Sequence, residues 1–258
     1  MGVLNVTPDS FSDGGHYFAL DDAVARGIEL AEEGAAIIDV GGESTRPGAR
    51  PVAVDEELRR VIPVVARLRP ITQAIISVDT SKPEVIRAAS AAGAELINDV
   101  WALREPGALE AARDCGCAVC LMHMQGEPRT MQQHPHYTDV VGEVREFLQE
   151  RAQACRAAGI SADRIALDPG FGFGKTLEHN LTLLRHLGEL AVDGLPLLAG
   201  LSRKSMIGAL TGRPAKERLA GSLAAALMAA MNGARILRVH DVAATVDALK
   251  VLEAVGQD

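Results

Sequence analysis

Ile75-Ile76-Ser77-Val78-Asp79 is a short, mostly β-branched run that stops at a carboxylate. Seven more stretches repeat the pattern. They are Val3-Leu4-Asn5, Ile37-Ile38-Asp39, Leu96-Ile97-Asn98, Val119-Cys120-Leu121-Met122-His123, Ile165-Ala166-Leu167-Asp168, Leu197-Leu198-Ala199-Gly200-Leu201-Ser202 and Ile236-Leu237-Arg238. Each apolar run has the length and composition of a buried strand, and each ends on a residue able to do chemistry. Ligands gather at the carboxyl ends of parallel strands, so these end residues form a candidate site.

Amphipathic helices fill the gaps. Leu58, Val61, Ile62, Val65 and Leu68 form one apolar stripe at the helical period, and Val242, Val246, Leu249 and Leu252 form another. Gly34, Gly93, Gly116, Gly159 and Gly233 stand shortly before strands, where left-handed helix C-caps are expected. Ser81 with Glu84 reads as a capping box, with Pro83 between them. Asp21, Thr176 and Asp241 read as N-caps of the first, sixth and eighth helices. Strand–helix alternation forces parallel pairing through right-handed crossovers. Eight units in 258 residues predict an α/β fold, a single (β/α)8 TIM barrel over 1–258 with its active site at the C-terminal ends of the strands. Periodicity does not report closure, so an open doubly wound sheet stands as the alternative.

A net charge of -8 without any basic tract argues against nucleic acid or an anionic membrane as partner. Leu219–Met231 is the longest near-apolar run and is too short to span a bilayer. It reads as a buried helix or an oligomer contact. Cys115, Cys117 and Cys120 lack a second ligand pair elsewhere and read as small buried residues. Few cysteines and no signal peptide suit a cytoplasmic protein. The chain opens almost directly on its first strand, without a segment to cover the barrel's lower mouth.

Two loops are too elaborate for connectors. Asn5-Val6-Thr7-Pro8-Asp9-Ser10-Phe11-Ser12-Asp13-Gly14-Gly15 follows the first strand, and Gly41-Gly42-Glu43-Ser44-Thr45-Arg46-Pro47-Gly48 the second. Glycine-freed amides with Ser, Thr and Arg donors suit a phosphate or diphosphate. Together with Asp168-Pro169-Gly170-Phe171-Gly172-Phe173-Gly174-Lys175, Ser202-Arg203-Lys204-Ser205 and Arg238-Val239-His240-Asp241, these loops resemble dihydropteroate synthase. The resemblance runs from Met1 to about Gly256.

That resemblance implies a TIM-barrel transferase of folate biosynthesis. It would join 6-hydroxymethyl-7,8-dihydropterin diphosphate to 4-aminobenzoate, with Mg2+ as cofactor and pyrophosphate released. By the same likeness Asp168, Asp79, Asn98 and Lys204 would hold the pterin, with Met122 and Phe173 beside them. Asn5, Ser44, Thr45, Arg46, Arg238 and His240 would hold the diphosphate. Phe11, Thr45, Pro47, Ser202, Lys204 and Phe173 would receive aminobenzoate, where sulfonamides should compete. Asp79, Lys204, Arg238 and His240 would be catalytic, and Asn5 and Asp39 would offer oxygen ligands to Mg2+.

The residues suit that chemistry. A carboxylate accepts two N–H groups of a planar heterocycle, and the Pro169 after Asp168 argues against a helix cap there. Arg238 and His240, two apart on one strand, leave the same face and can meet a departing anion. An aromatic amine is a weak nucleophile, so an SN1-like loss of pyrophosphate is expected, with Asp79 near the developing cation. Residues 170–176 mimic a phosphate loop, but Pro169 stands where its first glycine is required. His134 and His136 read as loop residues, and His123 as a strand-end residue without an assigned role. A pterin-binding methyltransferase module and a non-catalytic paralogue are the competing readings. The likeness also implies a homodimer, with Leu219–Met231 near its interface.

Overall fold

The computed structural model describes residues 1–7, 16–44, 51–127 and 130–256, with backbone alone for 16–19. The strands are β1 (Gly2–Asn5), β2 (Ile37–Gly41), β3 (Ile75–Asp79), β4 (Leu96–Asp99), β5 (Ala118–Met122), β6 (Ile165–Asp168), β7 (Leu197–Ala199) and β8 (Ala234–Leu237). Between and after them run α1 (His16–Glu32), α2 (Val54–Leu68), α3 (Pro83–Ala91), α4 (Ala108–Cys115), α5 (Val140–Ala157), α6 (Leu177–Arg185), α7 (Ser205–Thr211), α8 (Leu219–Met231) and α9 (Val242–Val255). The strands form one curled, all-parallel sheet in chain order, β1 to β8. Past β8, Val239 meets Gly2 in an isolated parallel bridge. The Val3 N–H reaches the Val239 carbonyl at 3.0 Å, and the Val239 N–H reaches that of Met1 at 2.9 Å.

Strand side chains alternate between faces, and that parity sorts the core. Ile38, Val40, Ile76, Val78, Ile97, Val119, Leu121, Ile165 and Leu167 join Val61, Val65, Leu68 and other helix residues in one buried cluster. The intervening positions Leu96, Cys120, Ala166 and Leu198 make a second cluster with Met1, Ile37, Ala118 and Ile236 inside the curl of the sheet. Cys120 is therefore interior packing, and all four cysteines are free thiols.

The expected glycine caps hold: Gly34, Gly93, Gly116, Gly159 and Gly233 all have φ between +73° and +108°. Thr176 caps α6, reciprocally with His179. Three other caps fail. No Gly or Pro separates Asp21 from His16, so α1 starts earlier and Asp21 pairs with Arg67 instead. Ser81 does not cap α3; its hydroxyl goes to the buried Asp99. Asp241 sits at the N-cap position of α9 but makes no cap bond, because Arg203 takes its carboxylate. Among the described residues, no helix is long and apolar enough to cross a membrane.

Candidate active site

A polar layer lies above the interior cluster, on the residues that strand parity turns inward. Asp39 on β2 is fully buried. Its Oδ1 accepts from Ser77 Oγ on β3 at 2.6 Å, and its Oδ2 from Asn98 Nδ2 on β4 at 3.2 Å and Arg238 Nε at 2.6 Å. Arg238 also gives Nη2 to Asp79 Oδ2 at 2.9 Å. One guanidinium thus serves two carboxylates, which hold it charged. Burial pushes the Asp79 carboxyl up to about 7, against the pull of Arg238 and with the repulsion of Asp39. Gly41 pairs with Asn5 on β1, and a Cβ there would lie 3.6 Å from Asp79 Cβ and 3.7 Å from Asn5 Oδ1.

Asp168 ends β6, buried, with Oδ1 accepting the Gly170 N–H at 2.7 Å. Burial raises its carboxyl, while Lys204, that N–H, Arg238 and Lys175 lower it. Lys204 donates to the Phe171 carbonyl, and its ammonium lies 4.7 Å from the Phe173 ring centroid. Burial brings Lys204 down to about 8, opposed first by Asp168. Met122 pairs in register with Asp168 and packs with Val100, Met124 and Met131, against Trp101 and Phe173. A buried carboxylate, an ammonium and an apolar, aromatic wall therefore share one mouth.

Ser202 lies in the turn after β7, where its hydroxyl receives the His240 backbone N–H at 3.2 Å and meets His240 Nδ1 at 3.1 Å. Between Ser202 and Lys204, Arg203 holds φ +59°, a left-handed conformation uncommon for a non-glycine residue. Three residues secure it. Asp241 takes both arms of its guanidinium, Ser222 Oγ accepts its N–H at 2.9 Å, and Arg218 Nη1 reaches its carbonyl at 3.0 Å and that of Lys204 at 3.2 Å.

The structure brings Asn5, Asp39, Asp79, Asn98, Met122, Asp168, Phe173, Ser202, Lys204, Arg238 and His240 to one rim. Ser44 is half-buried in the loop after β2. Phe11, Thr45, Arg46 and Pro47 lie outside the described residues. Asp39 does not fit Mg2+: its carboxylate is fully buried and already accepts from Ser77, Asn98 and Arg238. Asn5 alone of the expected pair keeps an amide oxygen suited to a hard cation. Among the described residues, no group of three or more His, Cys, Asp or Glu could hold a metal ion.

Two residues escaped sequence reasoning. Asp99, fully buried, gathers Ser81 Oγ and the N–H groups of Trp101 and Leu103, the latter two at 2.8 and 2.7 Å. It supports the chain just past Asn98, where Ala102 and Leu103 have φ of +53° and +56°. Strand parity separates it from Asn98 and could have revealed it as structural. For Arg203 no local signal exists, since its partner lies 38 residues away.

Residues 1–240 match a protein family described as pterin binding enzyme. The dihydropteroate synthase of Escherichia coli (strain K12) is 58% identical over 254 residues, which cover 98% of this chain and 90% of that protein. Xanthomonas albilineans dihydropteroate synthase with 4-aminobenzoic acid superposes with a TM-score of 0.95 at 59% identity, covering 100% of this chain and 93% of the other. The same organism's enzyme in complex with 7,8-dihydropteroate gives 0.91 at 56% identity, with coverage of 100% and 93%.

Proposed function

The chain belongs to the dihydropteroate synthase family of pterin-binding enzymes, and on that premise we propose how its own residues join dihydropterin diphosphate to 4-aminobenzoate. The products of this folate-biosynthesis transfer are 7,8-dihydropteroate and pyrophosphate. The observation that carries the assignment of roles is the buried Asp168 carboxylate facing Lys204 across a wall built by Met122 and Phe173.

Asp168 accepts the paired N–H groups of the pterin's donor edge; Oδ1 shares its lone pairs with Gly170, and Oδ2 turns to the ring. Lys204 donates to the acceptor edge, and Asn98 and Asp79 complete the polar rim. Met122 and Phe173 cover the ring faces. Arg238, His240, Asn5 and Ser44, with Thr45 and Arg46, receive the diphosphate. Ser202 and Lys204, with Phe11, Thr45, Pro47 and Phe173, receive aminobenzoate and the sulfonamides that mimic it.

The bond between the pterin methylene and the diphosphate oxygen breaks first, and the electron pair leaves with pyrophosphate. The amine nitrogen then bonds to that methylene and loses a proton. Arg238 and His240 stabilise the growing charge on the leaving oxygen. Asp79, offset by Arg238, faces the electron-deficient methylene. Mg2+, when bound, neutralises diphosphate charge, and Asn5 Oδ1 is the protein ligand that fits it. No covalent enzyme intermediate forms; a trapped enzyme-linked pterin would refute this order of events.

The Gly2–Val239 bridge supports closure of the sheet into a single-domain TIM barrel. Leu219, Met228 and Met231 on α8 and Val251 and Val255 on α9 are exposed, and they support a homodimer through this face. Sedimentation as a monomer at micromolar concentration would remove that dimer. The free thiols suit a reducing, cytoplasmic setting.

Pyrophosphate release from the two substrates with Mg2+ tests the activity. Asp168→Ala is expected to keep the wild-type melt and lose pterin diphosphate binding in calorimetry. Normal turnover by that variant would end the assignment of Asp168.

A further inference from the structure

Residues 170–175, which imitate a phosphate loop without being one, close on a buried lysine. Lys175 is 3% exposed. Its Nζ lies 2.9 Å from His123 Nδ1, 3.0 Å from the Gly170 carbonyl and 3.0 Å from the Phe173 carbonyl. Burial lowers Lys175 well below the ordinary lysine value, opposed by Asp168. Its charged form, the one favoured in the acid range where Asp168 takes up its proton, offers three N–H donors to these three acceptors. The third acceptor requires a neutral imidazole with its proton on Nε2. Burial, then the nearby Lys175, hold His123 down to about 2 and keep it neutral.

The turn that this ammonium organises reaches the pterin carboxylate directly. Gly170 gives its carbonyl to Lys175 and its N–H to Asp168 Oδ1. Phe171 carries the carbonyl that receives Lys204, and Phe173 carries the ring beside that ammonium. The turn is crowded: Gly170 has φ +69°, and a Cβ there would fall 1.9 Å from the His123 carbonyl oxygen. Gly172 gives its N–H to Asn180 Oδ1 at 2.7 Å, and Tyr137 donates to the Gly174 carbonyl at 3.0 Å.

Resting on the reading of Asp168 as the pterin-binding carboxylate, we propose that Lys175, seated on His123, is a positioning residue. Its ammonium fixes the turn that bears Phe171 and Phe173, and stands as a further buried cation behind the Asp168 carboxylate. The groups facing that carboxylate are Lys204 from the turn after β7, Arg238 from the end of β8, Lys175 itself and the Cys120 thiol on β5. Asp79 lies beyond Arg238 and acts on Lys204. Removing the Lys175 charge raises the Asp168 carboxyl, because Lys175 is one of the groups that lower it. The ionised form that grips the pterin is then lost at a higher pH.

The test is calorimetric binding of 6-hydroxymethyl-7,8-dihydropterin across acid to neutral pH, with steady-state kinetics alongside. Lys175→Met is expected to move the acid limb of binding measurably to higher pH. It should also raise KM for pterin diphosphate more than it lowers kcat. His123→Leu keeps the charge but removes an acceptor, so it should raise KM and leave the limb in place. His123→Asn, which returns an acceptor near the Nδ1 position, should restore KM. A folded Lys175→Met with the wild-type limb overturns the proposal. If Lys175→Met does not fold, equal KM values for the Leu and Asn variants of His123 overturn it. A wild-type protein that fails to bind the pterin overturns the reading of Asp168 as well.

Discussion

Arg238 Nε lies 2.6 Å from Asp39 Oδ2, joining two residues 199 positions apart in the chain. The contact runs from the end of β8 to the middle of β2, across the inside of the curled sheet. It also decides what Asp39 can do. Fully buried, and already accepting from a guanidinium, a hydroxyl and an amide, this carboxylate offers no accessible oxygen to a cation.

Asp39→Asn is therefore expected to cost about 3–5 kcal/mol, because it sets an N–H2 among donors and strips a buried guanidinium of one counter-charge. Urea denaturation measures this. Asn5→Ala should stay within about 0.5 kcal/mol of wild type while raising the Mg2+ concentration needed for half-maximal turnover. The reverse pattern would return Asp39 to the metal.

Lys204 sets an alkaline limit. Its charged form serves the pterin, and burial lowers it to about 8, so kcat/KM should fall as the pH rises past about 8. Stability runs the other way. Between about 8 and the ordinary value of 10.5 the unfolded chain binds more protons at this residue, so its contribution to stability rises with pH through that window. Lys204→Arg should carry the kinetic limb beyond the measurable range. A limb that stays put in this variant would assign it to another group.

Arg203 spans two site residues in a strained conformation, and Asp241 keeps it there. Arg203→Gly should relieve the left-handed strain, so its melt stays near wild type while turnover drops on the order of tenfold as Lys204 and Ser202 lose alignment. Arg203→Val puts a β-branched side chain at φ +59° and should also melt lower. Identical melts for the two variants would show that strain at this position is negligible.

Much of the site was legible because strand parity is local. Asn5, Asp39, Asp79, Asn98, Asp168 and Arg238 stand at positions that alternate with apolar neighbours, and all of them face the interior. Asp99 shows the limit. It directly follows Asn98, belongs to the opposite face, and ties down the backbone rather than lining the mouth. The Lys175 contacts were hidden for another reason: two of its three acceptors are backbone carbonyls, which carry no trace in residue identity.

Repeating order, helix stripes, left-handed glycines and the inward face of each strand follow from spacing and steric preference within a few residues, so the amino-acid order alone determined them. Partner choice did not. Ser81, Asp241 and Asp39 each had a plausible local or ionic use, and each went instead to a group 18, 38 or 199 positions away. A buried charge or hydroxyl takes the strongest complementary group within reach, and only the folded chain decides which groups come within reach.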